Sequence, residues 1–261
     1  MNVLIFDIET VPDVVSARRM YGLDGLSDVD TAKALFALRR AKVGHDFLPH
    51  YLHQIVAISL VLKQGSQLKV WSLGEEDANE AELITRFFAG LDKLTPTLVS
   101  WNGGGFDLPV LHYRTLYHQL QAPIYWETGE QQPSFRWNNY LNRFHYRHLD
   151  LMDVLAGYQN KAIAPLDDIA SLLGFPGKMG INGAHVWDEY CNNNIKGIRD
   201  YCETDVLNTY GVYLRFELMR GTISKNEHQN AIDTLKTYLH TEGQKNRPHL
   251  TEFLSKMESH Q

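Results

Sequence analysis

Four short apolar stretches of the chain have the pattern of buried or half-buried strands. Residues 3–6 (VLIF) and residues 97–101 (TLVSW) are brief apolar runs. Residues 53–63 and residues 65–73 are rich in β-branched and aromatic side chains and meet at a glycine-containing turn, which is the pattern of a β-hairpin. The spacing therefore predicts three strands early in the chain and a fourth after an intervening helix.

Other segments repeat their apolar residues at the three-to-four-residue spacing of amphipathic helices. These segments are residues 28–42, 76–94 and 107–120, a stretch after Pro165, and residues 195–219. Asp28 or Asp30 is placed to cap the first of these helices. Strands followed by helices in this order predict an α/β fold with a central mixed β-sheet flanked by helices.

The predicted domain organisation follows from the same pattern. No internal repeat or low-complexity linker divides the 261 residues, and this length fits one large domain. Residues 1–261 are therefore predicted to form a single domain. That domain carries a helical insertion at about residues 13–50 and a helical C-terminal tail from about residue 221.

Composition narrows the class of protein. With 44% hydrophobic and 21% charged residues, the chain has an ordinary soluble composition, and no stretch reaches the ~20 apolar residues of a membrane span. The first apolar run lacks the preceding basic segment of a signal peptide, and two cysteines are too few for a disulfide framework. These features predict a cytoplasmic protein. The net charge of −6 argues against a global positive field for nucleic acid but allows a local basic groove.

The first strand ends in two carboxylates, Asp7 and Glu9. Residues two apart on a strand point to the same face, so these side chains are expected to lie side by side. Two like charges this close are costly unless a cation lies between them or one of them binds a proton. Hard divalent cations prefer carboxylate oxygen. The pair therefore predicts a metal site, and the alternative is a solvated strand end.

Two more motifs carry acids. In "WNGGGFDLP" three glycines precede Asp107, where the next helix is expected to begin; the alternative is a helix N-cap after a flexible turn. The stretch lacks the spacing of the common phosphate-binding glycine loops. In "RDYCETDVLNTY" the side chains of Tyr201 and Asp205 are four residues apart and share one face of a helix; the alternative is an ordinary pair on the helix surface.

These three motifs in this order, D-x-E, N-x-x-x-F-D and Y-x-x-x-D, resemble those of the DEDDy-type 3′–5′ exonucleases. That branch includes the proofreading domain of family-B DNA polymerases, and the resemblance extends to the stand-alone bacterial proteins related to that domain. It covers roughly residues 1–215. The resemblance implies a ribonuclease H-like fold, and it implies that Asp7, Glu9, Asp107 and Asp205 hold two divalent cations, Mg²⁺ or Mn²⁺. It also implies that Tyr201 orients the attacking water.

The resemblance implies cleavage at the 3′ end of a single strand, and we expect DNA rather than RNA, with nucleoside 5′-monophosphates as products. Residues 133–148 interleave aromatic and arginine side chains, among them Arg143 and Arg147, as surfaces that bind single strands do. Lys178, in a glycine-rich loop, is a candidate phosphate contact. The candidate substrate contacts from the second motif are Asn102 and Phe106. The alternatives are packing of the rings on the domain and simple turn chemistry for Asn102.

Two further pairs of acids fit helix N-termini better than a metal site. Asp150 and Asp153 have the spacing of a capping box. Asp167 and Asp168 fall in the first turn of a predicted helix, where acids interact favourably with the helix dipole. We interpret both pairs as structural.

Three alternative functions share features with this sequence. An exoribonuclease would use the same chemistry, because the discrimination of RNA depends on contacts to the 2′-OH that no motif here identifies. A non-cutting nucleic-acid-binding module is disfavoured because all five expected side chains are present. A haloacid-dehalogenase-type phosphatase would begin with D-x-D-x-T, whereas this chain has Glu9 at the second acidic position, and this hypothesis leaves the other two motifs unexplained.

Overall fold

Five strands form one mixed sheet in the computed structural model, which describes residues 2–180 and 183–259. The strands are β1 Asn2–Pro12, β2 His53–Gln64, β3 Gln67–Ser72, β4 Thr97–Ser100 and β5 His148–Asp150. Their order across the sheet is β3-β2-β1-β4-β5. β2 runs antiparallel to β1 and β3, whereas β1, β4 and β5 run parallel to one another.

Ten α-helices of the described residues accompany the sheet. They are α1 Val14–Tyr21, α2 Asp28–Val43, α3 Glu80–Leu94, α4 Asp107–Tyr117, α5 Leu151–Leu155, α6 Leu166–Leu172, α7 Val186–Cys191, α8 Ile195–Met219, α9 Lys225–Gly243 and α10 Pro248–Ser259. The mixed sheet with helices on its faces confirms the predicted α/β, ribonuclease H-like fold class.

The central strand β1 is buried on both faces because helices cover both sides of the sheet. Val3 and Ile5 pack with residues of α8, α9 and α10, whereas Leu4 and Phe6 pack with residues of α3 and α4. Successive side chains of a strand point to opposite faces. The odd-numbered positions of β1 therefore face α8, and this decides which helix lies opposite the carboxylates further along the strand.

Two details of the sequence prediction are wrong. The strand β5 was not predicted, because three residues are too few for an alternating pattern to show. The cap of α2 is Ser27 rather than Asp28 or Asp30: the Ser27 hydroxyl accepts a hydrogen bond from the backbone N–H of Asp30 at 3.1 Å. The predicted hairpin of β2 and β3 is present, with an antiparallel register from Ser59 opposite Ser72 to Gln64 opposite Gln67.

Helices occupy the two segments that the sequence marked as additions. α1 and α2 lie within residues 13–50, and α9 and α10 follow residue 221. In the C-terminal helices, the buried side chains of Leu235, Leu239 and Phe253 belong to the same hydrophobic cluster as Val3. The C-terminal helices therefore pack into the core on the α8 side of the sheet. None of the described helices is long and apolar enough to cross a membrane.

Candidate active site

The first two carboxylates of the site lie on the half of β1 nearest its carboxyl end. Asp7 is half-buried and Glu9 is buried, and both occupy odd positions of the strand. The pairing of β1 with β2 is interrupted by an irregularity between Glu9 and Thr10. The extra residue of this bulge lies in β2, because Glu9 pairs with Ala57 and Thr10 with Ile55, so β1 keeps its alternation through Asp7 and Glu9. Asp7 and Glu9 therefore share the face of β1 that is covered by α8.

Asp107 is contributed by α4, which packs on the face of the sheet opposite to α8. It is the first residue of α4, where Phe106 is the N-cap residue and makes no side-chain capping bond. The Asp107 side chain, which is buried, accepts a hydrogen bond from the backbone N–H of Ile8 at 3.2 Å. Ile8 lies between Asp7 and Glu9, so this bond holds the third carboxylate beside the first two. The alternative of Asp107 as a helix cap is wrong.

Asp205 and Tyr201 are contributed by α8, one helical turn apart. The helix is buried in the core along much of its length, and Val206, Leu207 and Val212 are among its buried residues. The buried Oδ1 of Asp205 has no hydrogen-bond partner among the described residues. A buried carboxylate oxygen without a partner is costly, so this atom is available to a ligand of the protein.

The electrostatics of the four carboxylates reflect their mutual proximity. Burial, followed by the negative charges of neighbouring acids, raises the pKa of Asp7 and of Glu9 well above their usual values. Burial is also the main cause that raises the pKa of Asp107 and of Asp205 to about 7. Simultaneous ionisation of these four acids is unfavourable, and a bound cation would relieve the repulsion between their charges. The site therefore strongly favours a bound cation.

The donors of the site fit a hard divalent cation. Ligand atoms of Asp7, Glu9 and Cys202 lie within 4.8 Å of one another, and the unpartnered Asp205 oxygen adds a further donor. The Cys202 thiol donates to the backbone carbonyl of Asp7 at 3.5 Å and to its Oδ2 at 3.6 Å. Burial raises the pKa of that thiol, so it stays protonated and supports Asp7. The ligands available to a cation are thus carboxylate oxygens, which Mg²⁺ and Mn²⁺ prefer.

Cys202 was missed at the level of sequence. Its position beside Tyr201 was visible, but a single cysteine has no spacing pattern that indicates a contact with a residue 195 positions away.

The glycine loop between β4 and α4 is held by a buried carboxylate. Asp150 accepts hydrogen bonds from the backbone N–H groups of Asn102 at 2.9 Å and Gly104 at 2.8 Å. A Cβ at Gly103 would lie 2.3 Å from the Ser100 hydroxyl oxygen, so this turn requires glycine. Asp150 also caps α5 by accepting from the N–H of Asp153 at 3.4 Å. The predicted capping role is therefore confirmed, and Asp150 has a second role in fixing the glycine loop.

A buried histidine beneath this loop gives a testable pH dependence. His148 contacts Ser100 at 2.9 Å, and burial lowers the pKa of its imidazole to about 4, against an opposing effect of the Asp153 charge. The unfolded chain binds this proton near pH 6.5, so the contribution of neutral His148 is complete above pH 6.5 and is lost as the pH falls through 4. We expect a loss of about 3 kcal/mol between pH 7 and pH 4.

The measurement is urea unfolding of the wild type and of His148→Gln at several pH values across this range. The difference in unfolding free energy between the two proteins should shrink by about 3 kcal/mol as the pH falls. The comparison with the variant removes the contributions of other titrating groups, including His112. A difference that stays constant with pH would show that His148 titrates normally in the folded protein.

The candidate substrate residues fall into two groups. The first group is Asn102, Phe106 and Lys178. Asn102 and Phe106 lie in the glycine loop next to Asp107. Lys178 is exposed, and its charge acts on Asp167, whose own charge acts on Asp205. Asp167 and Asp168 lie in the first turn of α6, as predicted. The structure thus brings the first group close to the carboxylates.

The second group, Arg143 and Arg147, forms contacts with neighbouring residues of the protein. Arg143 pairs with Asp153 at 2.7 Å and remains largely exposed. Arg147 donates to the carbonyl of Asn138 at 2.6 Å and stacks on the ring of Phe135, 4.1 Å from its centroid. Arg147 therefore holds this segment together.

The aromatic residues of the same segment divide between packing and exposure. Phe135 and Tyr140 are buried in the core, as the packing alternative predicts. Trp137, Phe144 and Tyr146 are 80%, 65% and 53% exposed, so these rings are free to contact another molecule. The packing alternative therefore holds for Phe135 and Tyr140, and binding of a single strand by the exposed rings stays a prediction.

Comparison with known proteins defines the family. Residues 45–257 match the family described as "Predicted 3'-5' exonuclease related to the exonuclease domain of PolB". The chain belongs to this family. The matched region contains Asp107, Tyr201 and Asp205, and it begins after the strand that carries Asp7 and Glu9.

No curated protein sequence matches the chain. Among solved structures, the chain is similar to the family B DNA polymerase from the hyperthermophilic archaeon Pyrobaculum calidifontis, with 18% sequence identity and a TM-score of 0.47. The similarity covers 84% of this chain and 24% of the polymerase chain, so the chain spans about a quarter of that polymerase.

Proposed function

We propose that this protein is a metal-dependent 3′–5′ exonuclease that removes nucleotides from the 3′ end of single-stranded DNA and releases nucleoside 5′-monophosphates. The observation that carries the proposal is the convergence of Asp7, Glu9, Asp107 and Asp205 beside Tyr201, with pKa values of the acids raised by burial and mutual repulsion. Membership in a family of predicted 3′–5′ exonucleases supports the same reaction.

The four carboxylates would hold two divalent cations, Mg²⁺ or Mn²⁺. When bound, such a pair promotes ionisation of the attacking water and stabilises the charge on the leaving 3′ oxygen. The protein's own contribution is to fix the donors on three rigid elements: β1, the first turn of α4, and α8. Sites built on strands and helices keep their geometry better than sites built on loops.

Tyr201 would hold the attacking water by a hydrogen bond. Burial, followed by the charges of Asp205 and Glu9, raises the pKa of the phenol above its usual value. The hydroxyl therefore stays protonated at neutral pH and cannot serve as the general base. Its role is to orient a water molecule, which favours reaction by fixing the direction of attack.

Tyr201→Phe is expected to slow hydrolysis about 10²-fold, because it removes one orienting hydrogen bond and leaves all four carboxylates in place. The midpoint of activation by Mn²⁺ should change little. The assay is single-turnover cleavage of a labelled oligonucleotide across a range of Mn²⁺ concentrations. Tyr190→Phe, which removes a hydroxyl from a half-buried tyrosine of α7, is the control and should keep the wild-type rate. A wild-type rate for Tyr201→Phe would contradict the role given to this hydroxyl.

The substrate strand would approach through the glycine loop and nearby basic and aromatic side chains. Lys178 is exposed close to the site and could contact a phosphate. The exposed rings of Trp137 and Phe144 could stack on bases, as the surfaces of single-strand-binding proteins do.

Both cysteines are free thiols, which suits the reducing cytoplasm, and we propose that the protein is located in this compartment. We also propose that residues 1–261 form a single domain.

The polymer and the products are tested together. Matched DNA and RNA oligonucleotides with the same sequence and a 5′ label are digested with Mg²⁺ or Mn²⁺, and the released nucleotides are identified by chromatography. We expect faster shortening of DNA from the 3′ end and release of 5′-monophosphates. Faster digestion of RNA would identify an exoribonuclease of the same chemistry. Binding of either polymer without any cleavage would instead identify a non-cutting binding module.

A further inference from the structure

The segment after α2 is anchored to two of the catalytic motifs. The Nε2 of His50 donates to the backbone carbonyl of Gly105 at 2.9 Å, two residues before Asp107. The Nδ1 of His53 lies 2.9 Å from the Thr10 hydroxyl, next to Glu9. Residues 47–53, which we term the rim segment, therefore border the carboxylates on the side of β1 and the glycine loop.

The hydrogen bonds of His53 define its protonation. Its Nε2 lies 3.2 Å from the carbonyl oxygen of Leu48, which can only accept, so Nε2 carries the hydrogen. Burial lowers the pKa of the imidazole to about 4, so the ring is neutral and Nδ1 accepts from the Thr10 hydroxyl. The rim segment is thus held in place by a neutral, buried histidine.

The rim segment brings aromatic rings around Phe106. The centroid of Phe106 lies 5.6 Å from that of Phe47, 5.8 Å from that of His50 and 5.1 Å from that of His53. The ring of Phe47 is 54% exposed although it belongs to this cluster. A single exposed ring is common on protein surfaces. Here, however, the exposed ring extends an anchored aromatic group that adjoins Asp107.

We propose that Phe47, together with His50 and Phe106, forms a stacking surface for a nucleobase close to the 3′ end of the substrate strand. This inference rests on the proposed function and assigns part of its substrate site to the rim segment, at the end of the predicted insertion. Every nucleobase has an aromatic face, so stacking of this kind tolerates any sequence. The surface would position the strand end against the carboxylates without selecting a base.

The position of the surface favours a nucleobase over a protein partner. A strand whose terminal phosphodiester reaches Asp7 and Asp107 must place its last bases near the residues bordering these acids. Phe106 is the immediate neighbour of Asp107, and His50 binds the adjacent loop. Flat rings that are exposed on one side suit the flat face of a base.

The test measures binding without cleavage, in the Asp205→Asn background. Fluorescence anisotropy of a 5′-labelled single-stranded DNA is recorded for this protein, and with Phe47→Ala, Phe47→Trp or Leu38→Ala added. We expect Phe47→Ala to weaken binding about fivefold to hundredfold and Phe47→Trp to retain it. Leu38 is an exposed apolar residue of α2 in the same predicted insertion. The variant with Leu38→Ala is therefore the control and should bind DNA as tightly as the parent protein does.

A substrate series separates stacking from a structural role. An abasic residue is placed in turn at each of the last four positions of the oligonucleotide. Stacking predicts that the penalty of Phe47→Ala disappears for one of these substrates, the one lacking the base that Phe47 contacts. An equal penalty for all four, or none for the intact strand, would overturn the inference alone. Failure of the parent protein to bind any strand would overturn the proposed function as well.

Discussion

Asp205→Asn is expected to slow hydrolysis by at least about 10³-fold, because it removes a cation ligand whose charge no neighbouring group can replace. Asp7→Ala is expected to have a similar effect for the same reason. The measurement is the single-turnover rate of cleavage of labelled DNA at saturating Mg²⁺. Asp168→Asn makes the same chemical change at an exposed acid in the first turn of α6, and should keep the wild-type rate.

The substitution Asp205→Asn should not destabilise the fold. Asp205 contributes to the mutual repulsion of the acids and carries a buried oxygen without a hydrogen-bond partner. Without metal, the melting temperature of Asp205→Asn should therefore equal or exceed that of the wild type, whereas added Mn²⁺ should raise it less. A variant that loses activity and also unfolds without metal would show that Asp205 has a structural role. A variant that keeps its activity would contradict the assignment of the site.

Arg114→Ala is expected to have the largest effect on stability, with a loss of about 3–5 kcal/mol. Arg114 is buried on α4 and forms ion pairs with Asp13, at the start of α1, and with Glu80, at the start of α3. Burial alone would raise the pKa of Asp13, but hydrogen bonds from Ser16 and the Arg114 guanidinium lower it. Removing the arginine would leave two buried acids without their cation.

Urea unfolding at pH 7 measures this effect. Arg86→Ala removes an exposed arginine that pairs with Glu82 at 2.8 Å on α3, and it should change stability little because water already solvates both charges. Arg114→Lys keeps the charge but loses the forked geometry, so its stability should lie between those of the wild type and Arg114→Ala. If Arg114→Ala is no less stable than Arg86→Ala, the buried ion pairs do not hold α1, α3 and α4 together.

The parts of the site that follow from local pattern were open to prediction. Asp7 and Glu9 share a face because strand periodicity fixes it, and Tyr201 and Asp205 share a face because helix periodicity fixes it. The place of Asp107 beside them came only from the resemblance, since no local rule predicts that its carboxylate accepts a hydrogen bond from the N–H of Ile8, 99 residues away.

The remaining features depend on contacts between distant segments. β5 is only three residues long, and its register with β4 is set by pairing of Ser100 with Asp150. Arg114 on its own has the sequence signature of a solvated helix residue, and its burial depends on where α1 and α3 pack. Phe47 was part of an unexplained insertion, and its contact with Phe106 exists only in the folded chain.

The most direct test of the central claim is a digestion of 5′-labelled single-stranded DNA by the wild type and by Asp7→Ala, each with Mg²⁺, with Mn²⁺ and with EDTA. We expect a ladder that shortens from the 3′ end with the wild type and metal, and intact DNA with EDTA or with Asp7→Ala. Equal cleavage by both proteins, or cleavage that persists in EDTA, would contradict a metal-dependent exonuclease built on these carboxylates.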